Sequence, residues 1–150
     1  MLDSVKLAVA FGFEIIEFDK LKAQINGCMT VGLNCKQILI NENFSKEWKR
    51  YTIAYLLCHY LLFYNNDASL SVKHIDNNED IWAAYMARLL LIDEELLIKC
   101  NYQNLKIEYL SNIFNVPYKI MEKRIDDVDL KKRLKVTELL KKKIEKLGVN

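Results

Sequence analysis

The sequence predicts a single α+β domain that is mostly helical. One Pro and four Gly in 150 residues leave few breaks, so long helices are expected. Hydrophobic residues make up 51% of the chain, which is enough for one core at this length. Three short apolar runs with turn residues between them lie within residues 13–41, and they predict a small sheet.

The N-terminal part is expected to hold this sheet beside a short helix over residues 5–11, where apolar residues have helical spacing. Asn26-Gly27 is a typical turn sequence. Two strands joined by a turn, with a third nearby, indicate a small antiparallel sheet. The predicted strands are residues 13–18, 28–33 and 37–41.

A long helix is predicted to follow and to run to about Tyr64, with Asn43 or Ser45 as its N-cap. Its apolar positions lie nearly all the way round, which is typical of a central, buried helix. Residues 64–78 are polar and are predicted to be irregular. Two further helices are expected over residues 79–91 and, capped by Asp93, through Cys100.

Residues 105–125 resemble a helix-turn-helix hairpin, with Pro117 suited to the first turn of the second helix. From Leu130 the apolar spacing predicts a separate, basic amphipathic helix. The predicted organisation is therefore a domain of residues 1–127 followed by a C-terminal helix, residues 128–150.

Charge is concentrated in this C-terminal helix. Residues 130–150 carry eight Lys or Arg and two Glu, whereas the whole chain has a net charge of only +2. The basic residues could neutralise phosphates, but the apolar stripe also fits docking on the body or on a partner. The second helix of the hairpin offers no Asn or Gln for base contacts, so nucleic-acid binding is not favoured. The nucleic-acid candidates are Lys131, Lys132, Arg133, Lys135, Lys141, Lys142 and Lys143.

Two observations predict the compartment. No apolar run approaches the ~20 residues of a membrane helix, and residues 7–13 are too short for a secretory signal. The four cysteines lack C-x-x-C spacing and are interpreted as reduced thiols. A cytoplasmic protein with no membrane partner is expected.

The central helix contains the segment Tyr55-Leu56-Leu57-Cys58-His59. A zinc peptidase helix needs H-E-x-x-H, in which two His share one helical face and a Glu beside the first is the general base. Only the second His of that pattern is present here. Cys58 is interpreted as a small core residue, because a nucleophile would need a nearby base and an exposed setting.

Several segments together resemble the ImmA/IrrE family of bacterial and phage zinc peptidases. They occur in the family's order over roughly residues 5–127, and the resemblance implies a zincin-like fold around a former active-site helix. Members of that family cut, or trigger loss of, helix-turn-helix repressors. The segments are residues 12–16, 38–41, 50–63, 79–92 and 110–117.

The resemblance also assigns site positions. Tyr55 stands at the first ligand, Leu56 at the catalytic Glu, and His59 at the second ligand, while Glu79 aligns with the third. Without a carboxylate at residue 56 nothing takes the proton from the attacking water, a contribution typically worth ~10²–10⁴-fold. We therefore expect no catalytic residue and no cofactor. A vestigial zinc site on His59 and Glu79, completed by Tyr55 or His74, is the alternative.

Three functional hypotheses follow. The first is a catalytically inactive relative that holds a protein partner, such as a helix-turn-helix repressor, in a cleft lined by Tyr55, His59 and Tyr60. The second is a metal-dependent peptidase with a rearranged site using His59 and Glu79. The third is a small DNA-binding regulator that uses the hairpin and the basic helix. His59 itself is interpreted first as a buried His hydrogen-bonded to Tyr55, Glu79 or a carbonyl.

Overall fold

The computed structural model describes residues 3–63, 69–72 and 79–146, with side chains for residues 3–63 and 79–135. Helices dominate these residues and a small sheet packs beside them, which confirms the predicted α+β class. The elements are α1 (Ser4–Ala10), β1 (Glu14–Phe18), β2 (Gly27–Gly32), β3 (Cys35–Asn41), α2 (Lys46–Phe63), β4 (Ser69–Val72), α3 (Ile81–Leu91), α4 (Glu94–Lys99), a 3₁₀ helix (Tyr102–Asn104), α5 (Ile107–Phe114) and α6 (Tyr118–Lys146).

The sheet has the strand order β1-β3-β2-β4, and it is mixed. Strand β2 runs antiparallel to both β3 and β4, but β1 runs parallel to β3 with Ile15 opposite Ile38. The prediction of an antiparallel sheet is therefore wrong for β1. Strand β2 pairs with one edge of β3, so β1 pairs with the other edge, where it runs parallel to β3. Strand β4 lies in a segment predicted to be irregular, and its pairing with β2 overrides a weak local preference.

Helix α2 lies at the centre of the domain, as predicted. All eight residues from Tyr51 to Cys58 are buried. The helix packs closely on the sheet at Gly27, where an added Cβ would lie 2.9 Å from Thr52 Cγ2 and 2.8 Å from the Leu39 carbonyl oxygen. Its first turn is capped by Ser45, whose Oγ lies 3.4 Å from the Trp48 backbone nitrogen.

Aspartates set the start of the next two helices. The Asp80 side chain accepts hydrogen bonds from the Trp82 and Ala83 N–H groups, and the Asp93 side chain accepts one from Leu96. Helix α3 therefore begins at Ile81, and Glu79 lies just before its N-cap. The predicted cap of α4 is confirmed.

The C-terminal helices form the predicted hairpin, but α6 is longer than expected. Helix α5 ends at Asn115, which adopts a left-handed conformation with φ 51°, and α6 then runs from Tyr118 to Lys146 without a break. The prediction of a separate helix beginning at Leu130 is wrong. The charge changes sign near that residue, but no Gly or Pro interrupts the helix there. The division at residue 127 stays a prediction as a domain boundary.

Candidate functional site

The five-residue segment of α2 is part of the core. Leu56 and Leu57 are fully buried, and Tyr55 is 3% exposed. Leu56, which the resemblance predicts at the position of the general base, is surrounded by the apolar core of the domain. A carboxylate there would be desolvated, so this environment suits Leu and not Glu.

Two tyrosines one helical turn apart connect α2 to the start of α3. The Tyr51 hydroxyl donates a hydrogen bond to Glu79 Oε1, and the Tyr55 hydroxyl accepts one from the Asp80 N–H at 2.9 Å. The ring centroids of Tyr51 and Tyr55 lie 6.4 Å apart. These contacts fix the N-terminal end of α3, which Asp80 also caps.

Glu79 extends this network to a third helix. Its side chain is only 9% exposed, and its Oε2 lies 3.8 Å from Lys123 Nζ on α6. The carboxylate thus faces a phenol of α2 and an ammonium of α6. Glu79, which the resemblance predicts as the third metal ligand, is therefore engaged in contacts between helices.

Both phenols are held in the neutral form. Burial, reinforced by the Glu79 charge, raises the pKa of Tyr51 far above its ordinary value. Burial is also the main cause that raises the pKa of Tyr55. Neutral phenols form hydrogen bonds well, but they are poor metal ligands, which are generally deprotonated.

His59 is half-buried and held mainly by ring contacts. Its ring centroid lies 6.1 Å from that of Tyr55 and 4.8 Å from that of Phe63. Within the described residues its Nδ1 is buried and has no hydrogen-bond partner. At Nδ1, therefore, the expected hydrogen bond to Tyr55, Glu79 or a carbonyl is not formed with any residue that the structure describes.

The donor groups that the structure describes do not form a site with three protein ligands for a catalytic zinc. In residues 3–63, 69–72 and 79–146, no group of three or more His, Cys, Asp or Glu is placed to hold a metal ion. The Tyr55 hydroxyl is hydrogen-bonded, and Glu79 binds Tyr51. His74 lies outside the described residues. His59 and Glu79 as metal ligands stay a prediction.

Cys58 lies beside His59 in sequence but is not placed as a nucleophile. It is buried, and burial raises the pKa of its thiol to about 11. Only the thiolate is strongly nucleophilic, so Cys58 stays unreactive at neutral pH.

The three residues of the expected partner cleft divide between two sides of α2. Tyr55 and His59 share one face, whereas the Tyr60 ring packs on Phe13 with centroids 5.0 Å apart. Lys36 Nζ lies 5.1 Å from the centroid of the Tyr60 ring. The cleft stays a prediction.

The basic residues at the start of the C-terminal segment are used within the domain. Lys131 Nζ donates to both Glu94 carboxylate oxygens at 3.0 and 3.1 Å, and Lys132 Nζ lies 2.7 Å from the Tyr102 hydroxyl. Arg133 and Lys135 are exposed. The side chains of Lys141, Lys142 and Lys143 lie outside the described ones, so these nucleic-acid candidates stay predictions.

Two basic residues of the helix-turn-helix hairpin make contacts within the domain, whereas Lys119 is exposed. Arg124 is 2% exposed, and its Nε donates to the Ile92 carbonyl at 3.2 Å. Lys123 faces Glu79. On the turn itself, Arg50 of α2 donates to the Phe114 and Asn115 carbonyls at 2.7 and 2.9 Å. This hairpin is thus tied to the central helix.

Sequence reasoning did not find the contacts of Tyr51 with Glu79 and of Tyr55 with Asp80. A signal was present, because Tyr51 and Tyr55 are four residues apart on a buried helix and buried hydroxyls need partners. The partners themselves follow only from the placement of α3.

The fold and the central helix are those expected of a metallopeptidase-like α+β domain. A sequence model of the IrrE N-terminal-like domain, a peptidase family, matches residues 10–126, which is more than three quarters of the chain. The chain belongs to this family. A comparison with curated proteins gave no match.

No helix in the described part of the chain combines the length and apolar character needed to cross a membrane.

Proposed function

We propose that this chain is a catalytically inactive member of the IrrE N-terminal-like family that acts by binding a protein partner without cutting it. The observation that carries the proposal is Leu56, fully buried at the position of the general base. Hydrolysis by the family's mechanism needs a carboxylate there to accept the water's proton.

The hydrogen bonds of Tyr51 and Tyr55 support the same conclusion. The resemblance to the family implies that an active member joins α2 to the segment before α3 through a shared metal. In this chain the Tyr51–Glu79 and Tyr55–Asp80 bonds join these two elements directly. The fold thereby acquires a connection that needs no metal.

The partner we propose is a helix-turn-helix repressor, by analogy with what the family acts on. The proposed contact surface is the part of the Tyr55–His59 face of α2 that remains accessible, which His59 presents beside the buried Tyr55. Tyr60 lies on the other side of the helix and is not part of this surface. Phe63, one turn beyond His59, is 42% exposed and adds apolar area to this end of the helix. An aromatic surface of this kind suits recognition of another protein.

The test combines binding with cleavage. The purified chain is titrated into a repressor encoded beside its gene, and the complex is followed by calorimetry and intact-mass spectrometry, with and without a chelator. The proposal expects an intact repressor in a complex that the chelator leaves unchanged. Chelator-sensitive cleavage would overturn it, and so would the absence of binding.

A matched pair of variants locates the contact. His59→Ala is expected to weaken binding about tenfold or more, because it removes a ring at the proposed surface. Leu33→Ala, on the turn between β2 and β3, changes a side chain that is 94% exposed and is expected to have no effect. Equal affinities would exclude the Tyr55–His59 face as the binding surface.

The metal-dependent alternative has one observation in its favour, the buried Nδ1 of His59, which has no hydrogen-bond partner among the described residues. A rearranged site would leave about one metal ion per chain that His59→Ala removes. The DNA-binding alternative is weakened by the internal contacts of Lys131, Lys132 and Arg124. If the DNA-binding alternative is correct, the chain binds duplex DNA, and this binding weakens with added salt and on deletion of residues 130–150.

A further inference from the structure

The part of α6 that follows Val128 is held on the domain by polar contacts. Val128 is 1% exposed, whereas none of the side chains at residues 129–135 is buried. We call residues 129–135 the docking segment, because Lys131 and Lys132 within it contact the body of the domain. A segment that buries little apolar surface has a low local stability, so it separates from the body more easily than the core unfolds.

Glu94 of α4 holds Lys131. The Lys131 Nζ atom lies 3.0 and 3.1 Å from the two Glu94 carboxylate oxygens, and the Lys131 side chain is 63% exposed. Arg124, which is 2% exposed, approaches the same carboxylate, with its Nη2 atom 3.5 Å from Oε2. Glu94 therefore keeps a cationic partner when Lys131 leaves.

Tyr102 of the 3₁₀ helix holds Lys132. The Tyr102 hydroxyl accepts a hydrogen bond from Lys132 Nζ at 2.7 Å and donates one to Asp129 at 2.7 Å. The hydroxyl therefore keeps a partner when Lys132 leaves. Release of the two lysines strands no buried polar group, and the loss of exposed ion pairs alone costs little.

The lysines of the docking segment lie close together on the helix. Lys135 is exposed one turn beyond Lys131, and Lys132 is adjacent to Lys131 in sequence. When the segment separates from the body, one ligand can reach all three ammonium groups. Such groups bind phosphate as point charges, and several together favour a polyanion because its counterions are released.

We propose that the docking of this segment is autoinhibitory. It withholds Lys131 and Lys132 from phosphate polyanions, and a polyanion that binds these two ammonium groups releases the segment from α4 and the 3₁₀ helix. Docking and polyanion binding compete for the same groups, so a variant that docks more weakly binds a polyanion more tightly. This proposal does not depend on whether the chain binds a repressor.

Titration of the full chain with inorganic polyphosphate at low salt tests the proposal. Glu94→Gln removes the carboxylate that holds Lys131, and Glu95→Gln changes the next residue of α4, which is exposed. The two variants carry the same net charge. Glu94→Gln is expected to bind about threefold more tightly than Glu95→Gln. Equal affinities would overturn the proposal, and so would the absence of polyphosphate binding in both variants.

Lys131→Gln, added to each of these variants, tests whether Lys131 itself is withheld. In the Glu94→Gln chain it is expected to lower the affinity about threefold. In the Glu95→Gln chain Glu94 still holds Lys131, so a loss below about 1.5-fold is expected. Equal losses in the two chains would overturn the proposal. Circular dichroism of the four proteins provides the folding control.

Duplex DNA is titrated in parallel, because it carries the same phosphate chemistry. The proposal predicts that Glu94→Gln exceeds Glu95→Gln by the same factor with both probes, since the lysines contact phosphate groups alone. An effect seen with DNA and not with polyphosphate would overturn it.

Discussion

At the candidate site, the buried side chain of Tyr51 contacts both Glu79 and Trp48. It is fully buried on α2, donates a hydrogen bond to Glu79, and packs edge-on against Trp48 at 6.0 Å between ring centroids. Glu79 in turn faces Lys123 on α6. A buried carboxylate that loses its donor costs more than the bond itself contributes, so Tyr51 should be important for stability.

The substitution Tyr51→Phe removes only the hydroxyl. We expect it to lower the free energy of unfolding by about 1–3 kcal/mol, because Glu79 Oε1 loses its phenol donor while remaining nearly buried. Urea unfolding measures the change. The matched control is Tyr109→Phe, at a side chain that is 57% exposed, with an expected change near zero. Equal effects of the two variants would show that the Tyr51–Glu79 bond is not stabilising.

The substitution Leu56→Glu places a carboxylate at the position that the resemblance predicts for the family's general base. We expect a loss of about 3 kcal/mol or more, because the new carboxylate would enter a fully buried apolar site. Leu62→Glu, on the same helix at a side chain that is 41% exposed, is the control and should lose far less. Thermal unfolding compares them. A Leu56→Glu protein as stable as the control would mean that this position opens to solvent.

Among the helices, α4 and α6 are joined by an ion pair with a defined pH dependence. The hydrogen bond from Lys131, together with the Arg124 charge, holds the pKa of Glu94 below its usual value near 4.5. A carboxylate whose pKa is lowered on folding stabilises the fold at pH values above its unfolded-state pKa. The contribution is lost as the pH falls through the folded-state pKa.

Lys131→Ala is therefore expected to raise the pKa of Glu94 toward 4.5 and to cost less than about 1 kcal/mol at neutral pH, because the pair is partly exposed. An NMR titration of the Glu94 carboxyl group gives the pKa, with Lys135→Ala as the control on the same helix. The stability difference from the wild type should vanish in acid, once Glu94 is protonated. A difference that persists there would show that Lys131 acts through packing.

The sequence allowed most elements to be predicted, and each failure has a physical reason. Helices α2, α3 and α4 were predicted because their signals are local. These signals are the apolar residues all round α2 and the aspartates Asp80 and Asp93 before α3 and α4. Strand β4 and the parallel pairing of β1 depend on distant partners, which local preference does not encode. The absence of an H-E-x-x-H motif can be read from the sequence. The Tyr51–Glu79 hydrogen bond could not be predicted, because it depends on where α3 packs against α2.

At the scale of the whole molecule, α6 continues past residue 127 and contacts the rest of the domain there. Val128 is 1% exposed, and the Tyr102 hydroxyl donates to Asp129 at 2.7 Å. These contacts lie beyond residue 127. The division at residue 127, which stays a prediction, would place these contacts outside the domain.

Two truncations measure this directly. A chain ending at Asp127 should lose about 2–4 kcal/mol of stability, because it loses the buried Val128 and the partner of Tyr102. A chain ending at Lys135 should lie within about 0.5 kcal/mol of the full chain. Urea unfolding of the three proteins gives the comparison. Equal stability of both truncated chains would support a boundary at residue 127.

The central proposal is that the hydrogen bonds of Tyr51 with Glu79 and of Tyr55 with the Asp80 N–H connect α2 to the start of α3 in the place of a metal. Elemental mass spectrometry of the full chain, purified without added metal beside its His59→Ala variant, tests this most directly. The account predicts far less than one metal ion per chain in both proteins. About one zinc per chain in the wild type, absent from the variant, would contradict it.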